Sequence, residues 1–207
     1  MHRLIDKFYK GKLCKSELPI KFLMGFQEEV KGERPPGETV QRYITQGIDY
    51  LSNIEPLPFH VVATEKQLFF EIDGVKFTGV IDYLGERDGD LYIVDHKSRD
   101  MKPRSGRKRP TAKDAELDEM LTQLYLYAEA VRQEYGVLPK ALCFNCFRTG
   151  VFIEEPFEKE AFDAAVRKVL SDIRYIEDEE DFPPRIEYFA CRNICGVHSE
   201  CCYYDRR

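Results

Sequence analysis

The sequence predicts an α+β domain, a mixed α/β arrangement in which helices flank a central sheet. Three observations predict it. Apolar residues recur at helical spacing over residues 3–53; strand-type patterning with two Asp-Gly turns takes over from Val61; and a long amphipathic helix separates those strands from two more. The order is helices, three strands, helix, two strands, helix and a Cys-rich tail, with no internal repeat.

Residues 3–10 read as the last turns of a helix, with Leu4, Ile5 and Phe8 on one face and Gly11 placed to end it. A helix that begins this close to residue 1 looks cut short, and an upstream segment is expected. Residues 16–31 and 38–53 continue the helical pattern through Leu18, Phe22 and Phe26, then Val40, Ile44, Ile48 and Leu51, with Arg34-Pro35-Pro36-Gly37 as the loop between them. Residues 59–72 are β-branched and aromatic, and Asp73-Gly74 turns them into a strand over 75–84. A second turn at Arg87-Asp88-Gly89-Asp90 leads into Leu91-Tyr92-Ile93-Val94. Residues 99–114 are polar, basic and aperiodic, and read as a loop. Leu117, Leu121, Leu124, Ala128 and Val131 then predict a helix over 114–135, closed by Gly136. Strands at about 140–147 and 150–155 and a helix over about 157–177 complete the pattern. Three regions follow: an N-terminal helical region at 1–58, a core at 59–182 and the tail at 183–207.

Composition excludes several classes. Hydrophobic residues at 43% and charged residues at 33% describe a globular chain. No apolar run approaches the roughly 20 residues of a membrane span, and no secretory h-region is visible, so a cytoplasmic setting and no membrane partner are expected. With 31 Lys and Arg against 37 Asp and Glu, the net charge of −6 excludes a uniformly basic nucleic-acid binder. The charge is uneven, however. Residues 97–113 hold eight Lys and Arg against Asp100 alone, a local +7 suited to phosphates or to a solvated loop that orders on binding.

The chemistry concentrates in Gly79-Val80-Ile81-Asp82 and Ile93-Val94-Asp95-His96-Lys97. Two apolar strands each end by delivering a carboxylate. Across a hairpin of this spacing Asp82 and Asp95 come side by side, and Asp95 and Lys97, two apart, share a face. Two carboxylates and one ammonium at one point suit a hard divalent cation, which polarises a phosphoryl oxygen and acidifies water. An ion pair at the end of a hairpin is the plainer reading. Gln123 and Tyr127, four apart, share a face of the long helix.

G-x-I-D, then D-x-K, then Q-x-x-x-Y, in this order and spacing, resembles the signature of the PD-(D/E)XK nuclease superfamily in its RecB-like exonuclease branch, over about residues 59–147. The resemblance implies a restriction-endonuclease-like core and a Mg²⁺- or Mn²⁺-dependent deoxyribonuclease, with exonuclease action on single-stranded or duplex DNA ends. It implies Asp82 and Asp95 as metal ligands, the His96 backbone carbonyl as another, and Lys97 as the catalytic lysine. Gln123 and Tyr127 would contact nucleic acid or buttress the site. His2 looks like the branch's metal-ligating His with its preceding sequence missing; otherwise it is a frayed terminal residue. Glu65 reads as a surface or supporting residue. A non-catalytic DNA-binding or assembly subunit on the same fold is the alternative, and a helicase, recombinase or integrase is the partner class that fits. Recombination, repair or defence is the implied setting, with a phage or prophage nuclease favoured by the compact form.

Cys191, Cys195 and Cys201 in the tail resemble the C-terminal part of the iron–sulfur members, similar to CRISPR-associated and AddB-type nucleases, where three such Cys join an upstream Cys on a [4Fe–4S] cluster. That upstream Cys is absent here, and Cys14 could only substitute. A Zn²⁺ site completed by His198 is the rival, and plain thiols the remaining reading. Cys143 and Cys146 read as core.

Overall fold

The computed structural model describes every residue except 30–36, 183, 185, 194, 198 and 204–207. Of the loop expected at Arg34-Pro35-Pro36-Gly37, residues 34–36 lie outside the described residues, as does the candidate ligand His198, and Gly37 begins a helix. The chain divides into two compact units, Met1–Val166 and Arg167–Arg207.

The first unit begins with α1 (His2–Tyr9), a 3-10 turn at Lys15–Glu17, α2 (Leu18–Glu29) and α3 (Gly37–Asn53). Ile5, Leu18, Leu51 and Ile54 are buried together with Phe147, which packs these helices into one layer. Burial of Ile5, one turn beyond His2, fixes the rotation of α1, and Thr64 Oγ1 donates to Asp6 Oδ1 at 2.7 Å to tie the helix to the sheet. Position 2 is therefore held, although it starts a helix.

The sheet has five strands in sequence order: β1 (His60–Ile72), β2 (Val75–Arg87), β3 (Asp90–Lys97), β4 (Ala141–Cys146) and β5 (Val151–Pro156). Both hairpins turn on two residues, Asp73-Gly74 and Asp88-Gly89. All four have positive φ, the conformation that matches the twist of the flanking strands. β3 and β4 are parallel and the other pairs antiparallel. The parallel pair needs a crossover, which α4 (Ala112–Tyr135) supplies. Every residue of β4 is buried, including Cys143 and Cys146, so both cysteines belong to the core. The expected mixed α/β fold is the one observed.

The helix α4 starts two residues before the expected 114. Thr111 caps it by accepting from Asp114 N, Asp114 reaches back to Thr111 N, and Gly136 ends it in the left-handed region at φ +78°. The first unit also contains the start of α5 (Lys159–Asp178).

The second unit carries the rest of α5 and a short helix, α6 (Tyr188–Asn193), which the tail's composition did not predict. Cys191 lies in α6, and Cys195 N donates to Ala190 O at 2.9 Å just beyond it. No described helix is long and apolar enough to cross a membrane.

Candidate active site

The site forms where β2 and β3 part. Their ladder runs from Arg87↔Asp90 to Tyr83↔Val94 and stops one residue short of Asp82 and Asp95. Beyond that point β2 stays with β1, while β3 stays with β4 through Asp95↔Phe144, His96↔Asn145 and Lys97↔Cys146. The separation frees the His96 N–H from a ladder partner, and Asp82 Oδ2 accepts it at 2.8 Å. The divergence thus places two carboxylates at the mouth of a fork.

Asp95 is 8% exposed, and Lys97 Nζ lies 2.8 Å from its Oδ2. The ammonium approaches outside a hydrogen-bonding direction, so this buried oxygen retains an unsatisfied lone pair. Burial pushes the Asp95 carboxyl above the usual carboxylate range, against the opposing pull of Lys97. Asp82 is shifted upward for the same first reason, with the His96 N–H opposing. Two partly desolvated carboxylates resist carrying charge until a cation compensates them.

His2 reaches this point from the layer of helices. Its Nε2 donates to the His96 carbonyl at 2.8 Å and lies 3.8 Å from Asp82 Oδ2. That hydrogen bond joins two groups which the sequence resemblance assigns to a metal. His2 Nε2 must give up its proton before it can serve as a ligand. The His96 ring points away from the fork. Its Nδ1 accepts from Asn145 Nδ2 at 3.1 Å, and the ring stacks on Tyr9. Burial drives its pKa down to about 3, so the imidazole stays neutral and only its backbone faces the site. Asn145, at 94% burial, also donates to Tyr50 OH at 2.8 Å and was not legible in the sequence as a support.

Lys97 is held from its other side. Gln123 Oε1 lies 3.5 Å from Nζ, and Gln123 Nε2 donates to Tyr127 OH at 2.9 Å. The Tyr127 ring in turn lies over Gly79: a Cβ there would stand 2.6 Å from Tyr127 Cε1. The glycine of G-x-I-D is therefore the seat of the aromatic residue of Q-x-x-x-Y. Glu65 stands on β1 between the pairs Thr64↔Tyr83 and Lys66↔Ile81, level with Asp82, and its charge adds to the upward shift of that carboxyl. Its φ of +46° inside a strand is strained for a residue with a side chain. Only its distance ahead of Asp82 in the sequence pointed to it.

The structure therefore brings His2, Asp82, Asp95, the His96 carbonyl, Lys97, Gln123 and Tyr127 to one place. A cavity of about 630 Å³ has Tyr9, Tyr50, Asn145, Phe147 and Arg148 among its walls and is lined by none of these seven residues. Among the described residues no three His, Cys, Asp or Glu side chains are gathered as a ready metal site. Oxygen donors nevertheless fit a hard divalent cation here, because a buried carboxylate oxygen that is ion-paired to Lys97 but accepts no hydrogen bond stands beside a second carboxylate and a backbone carbonyl. The tail differs. Cys191, Cys195 and Cys201 are half-buried, form no disulfide, and do not gather into a ligand set among the described residues. Cys14 is exposed beside Ser16.

Comparison with known proteins places this arrangement. Residues 1–202 match the PD-(D/E)XK nuclease superfamily. The fold is similar to that of a candidate exonuclease from Eubacterium rectale, at 18% identity and a TM-score of 0.54, covering 98% of this chain and 73% of that one. At that identity the likeness concerns the fold alone. No curated protein matches.

Proposed function

This chain belongs to the PD-(D/E)XK nuclease superfamily, and from that premise we propose that it is a divalent-metal-dependent DNA exonuclease of the RecB-like branch. The observation that carries the reading is the convergence of Asp82, Asp95 and Lys97 at the β2–β3 fork, with His2 and the His96 carbonyl facing the same point. Mg²⁺ or Mn²⁺ held by Asp82, Asp95, the His96 carbonyl and His2 would supply Lewis acidity to a phosphoryl oxygen and acidify a water.

The chain's own residues do the rest. Asp82 and Asp95 provide anionic oxygens that burial has left undercompensated. Lys97, fixed between Asp95 and Gln123, presents an ammonium to a non-bridging phosphate oxygen, where negative charge grows in the transition state. Tyr127 sets Gln123, and Gly79 leaves room for Tyr127. In the reaction the water oxygen bonds to phosphorus and releases a proton to solvent, which supplies the one the leaving oxygen takes up. The bridging P–O bond breaks, and the leaving oxygen takes its electron pair and gains a proton. DNA is the proposed substrate, with recombination, repair or defence as the setting.

Degradation of linear and covalently closed circular DNA tests the reading, beside Asp95→Ala. Loss of linear DNA with circles left intact supports an exonuclease, and cutting of circles makes it an endonuclease. A wild-type chain that binds DNA as tightly as Asp95→Ala but cuts neither substrate would instead be a binding subunit. For the tail, a [4Fe–4S] cluster, or Zn²⁺ in its place, is a separate proposal through which no step above runs. Metal analysis of the purified full chain decides it: iron supports the cluster, zinc the rival, and neither leaves plain thiols.

A further inference from the structure

The basic segment after β3 is not one uniform patch. Lys97 pairs with Asp95, Arg99 and Lys113 with Glu116, Lys102 with Asp100, and Arg104 with both Asp118 and Glu155. Among the described residues, no ion pair involves Arg107, Lys108 or Arg109. These three consecutive cations are exposed at the tip of a loop.

That loop is built, not slack. Asp114, 3% exposed, accepts from Ser105 N and Ser105 Oγ at 2.7 Å each, from Thr111 N at 2.6 Å and from Thr111 Oγ1 at 2.8 Å. One carboxylate therefore clamps both ends of the segment that carries the three cations. These hydrogen bonds hold the Asp114 carboxyl well below the usual range, so it stays ionised at any working pH. Gly106 turns the chain at φ +66°, and Arg104 pins the entry to α4 and β5. The expectation of a loop that orders only on binding is replaced by one that is ordered beforehand.

We infer that Arg107, Lys108 and Arg109 form a pre-set contact for the DNA phosphate backbone, away from the scissile phosphate. The inference rests on the nuclease reading. Thr111 and Gln123 are twelve residues apart on α4, about 18 Å at 1.5 Å per residue, and Gln123 marks the position of Lys97. At that separation the contact stands clear of the scissile phosphate. It reads no sequence.

The test is anisotropy of a labelled 20-base-pair duplex titrated with the full chain between 50 and 200 mM salt, in EDTA so that no cleavage occurs. Three released phosphates change the slope of log K against log salt by about 2.7, so wild-type affinity should fall about 40-fold more across that range than that of Arg107→Ala/Lys108→Ala/Arg109→Ala. An unchanged slope overturns the inference. Asp114→Asn keeps the three cations and makes the chain less negative. If pre-setting matters, this variant binds more weakly despite its charge; equal or tighter binding overturns the clamp. Circular dichroism confirms that both variants fold. Hydrolysis of bis(p-nitrophenyl) phosphate by the wild-type chain, a substrate too small to reach the loop, reads the nuclease proposal separately.

Discussion

At the residue scale, the two carboxylates trade stability for chemistry. Burial raises both above the ordinary range, so ionised Asp82 and Asp95 oppose folding at neutral pH. For an acid raised in the folded state, the stabilising contribution exists below the unfolded value and is lost as pH rises through the folded one. Asp95→Asn should therefore melt above wild type at pH 7 in EDTA. Mn²⁺ should raise the melting temperature of wild type and leave that of Asp95→Asn unmoved. A variant that melts lower in EDTA, or that responds equally to Mn²⁺, contradicts this account.

His96 offers a second test at this scale. Its imidazole is lowered to about 3, so its proton NMR resonances should not shift between pH 5 and 8. A buried neutral His stabilises the fold above the unfolded value of about 6.5 and loses that contribution as pH falls from there toward 3. A resonance that titrates near 6.5 would place the ring in solvent and remove the reason for assigning only its carbonyl to the site.

At the element scale, α4 is docked on β2 through Gly79 and Tyr127. Gly79→Ala adds a methyl where 2.6 Å is available, an overpacking of about 1–3 kcal/mol that forces the helix or the ring to move. Thermal melting should register it, and cleavage should fall with it because Gln123 moves too. Tyr127→Phe keeps the packing and removes the hydroxyl that Gln123 Nε2 contacts. It should leave melting nearly unchanged and lower kcat several-fold, the size of one hydrogen bond of about 1 kcal/mol. Equal effects of the two substitutions on kcat and melting would make this network structural only.

The elements differ in how much of them the sequence discloses. Both hairpins were legible because Asp-Gly carries its own turn conformation. Asp82, Asp95 and Lys97 were legible because the hairpin spacing and the strand period bring them together, whereas Gln123 and Tyr127 share a helix face whose place at this site only the resemblance implied. His2 needed the resemblance, since nothing in a terminal histidine shows that Ile5 will bury and hold it. The order within the loop at 105–111 stayed hidden because it comes from Asp114, a side chain beyond it that looks like an ordinary first-turn acid. Glu65 and Asn145 stayed hidden because their placement depends on a distorted strand and on a pairing with β4.

At the scale of the whole molecule, a chain of net charge −6 presents three consecutive cations that have no ion pair among the described residues on one clamped loop, while most neighbouring cations are matched. This distribution suits a polyanion that must be held in one register and released after each cut. The catalytic reading does not depend on the tail cysteines, which do not gather among the described residues.

The central claim is that Asp82, Asp95 and Lys97 hydrolyse phosphodiesters with a divalent metal. Its most direct test is degradation of end-labelled single-stranded and duplex DNA in Mg²⁺, Mn²⁺ or EDTA, with Lys97→Ala alongside. The account predicts cleavage in either metal, none in EDTA, and a loss of at least about 100-fold in Lys97→Ala with binding retained. Cleavage that persists in EDTA, cleavage undiminished by Lys97→Ala, or no cleavage with either metal would contradict it.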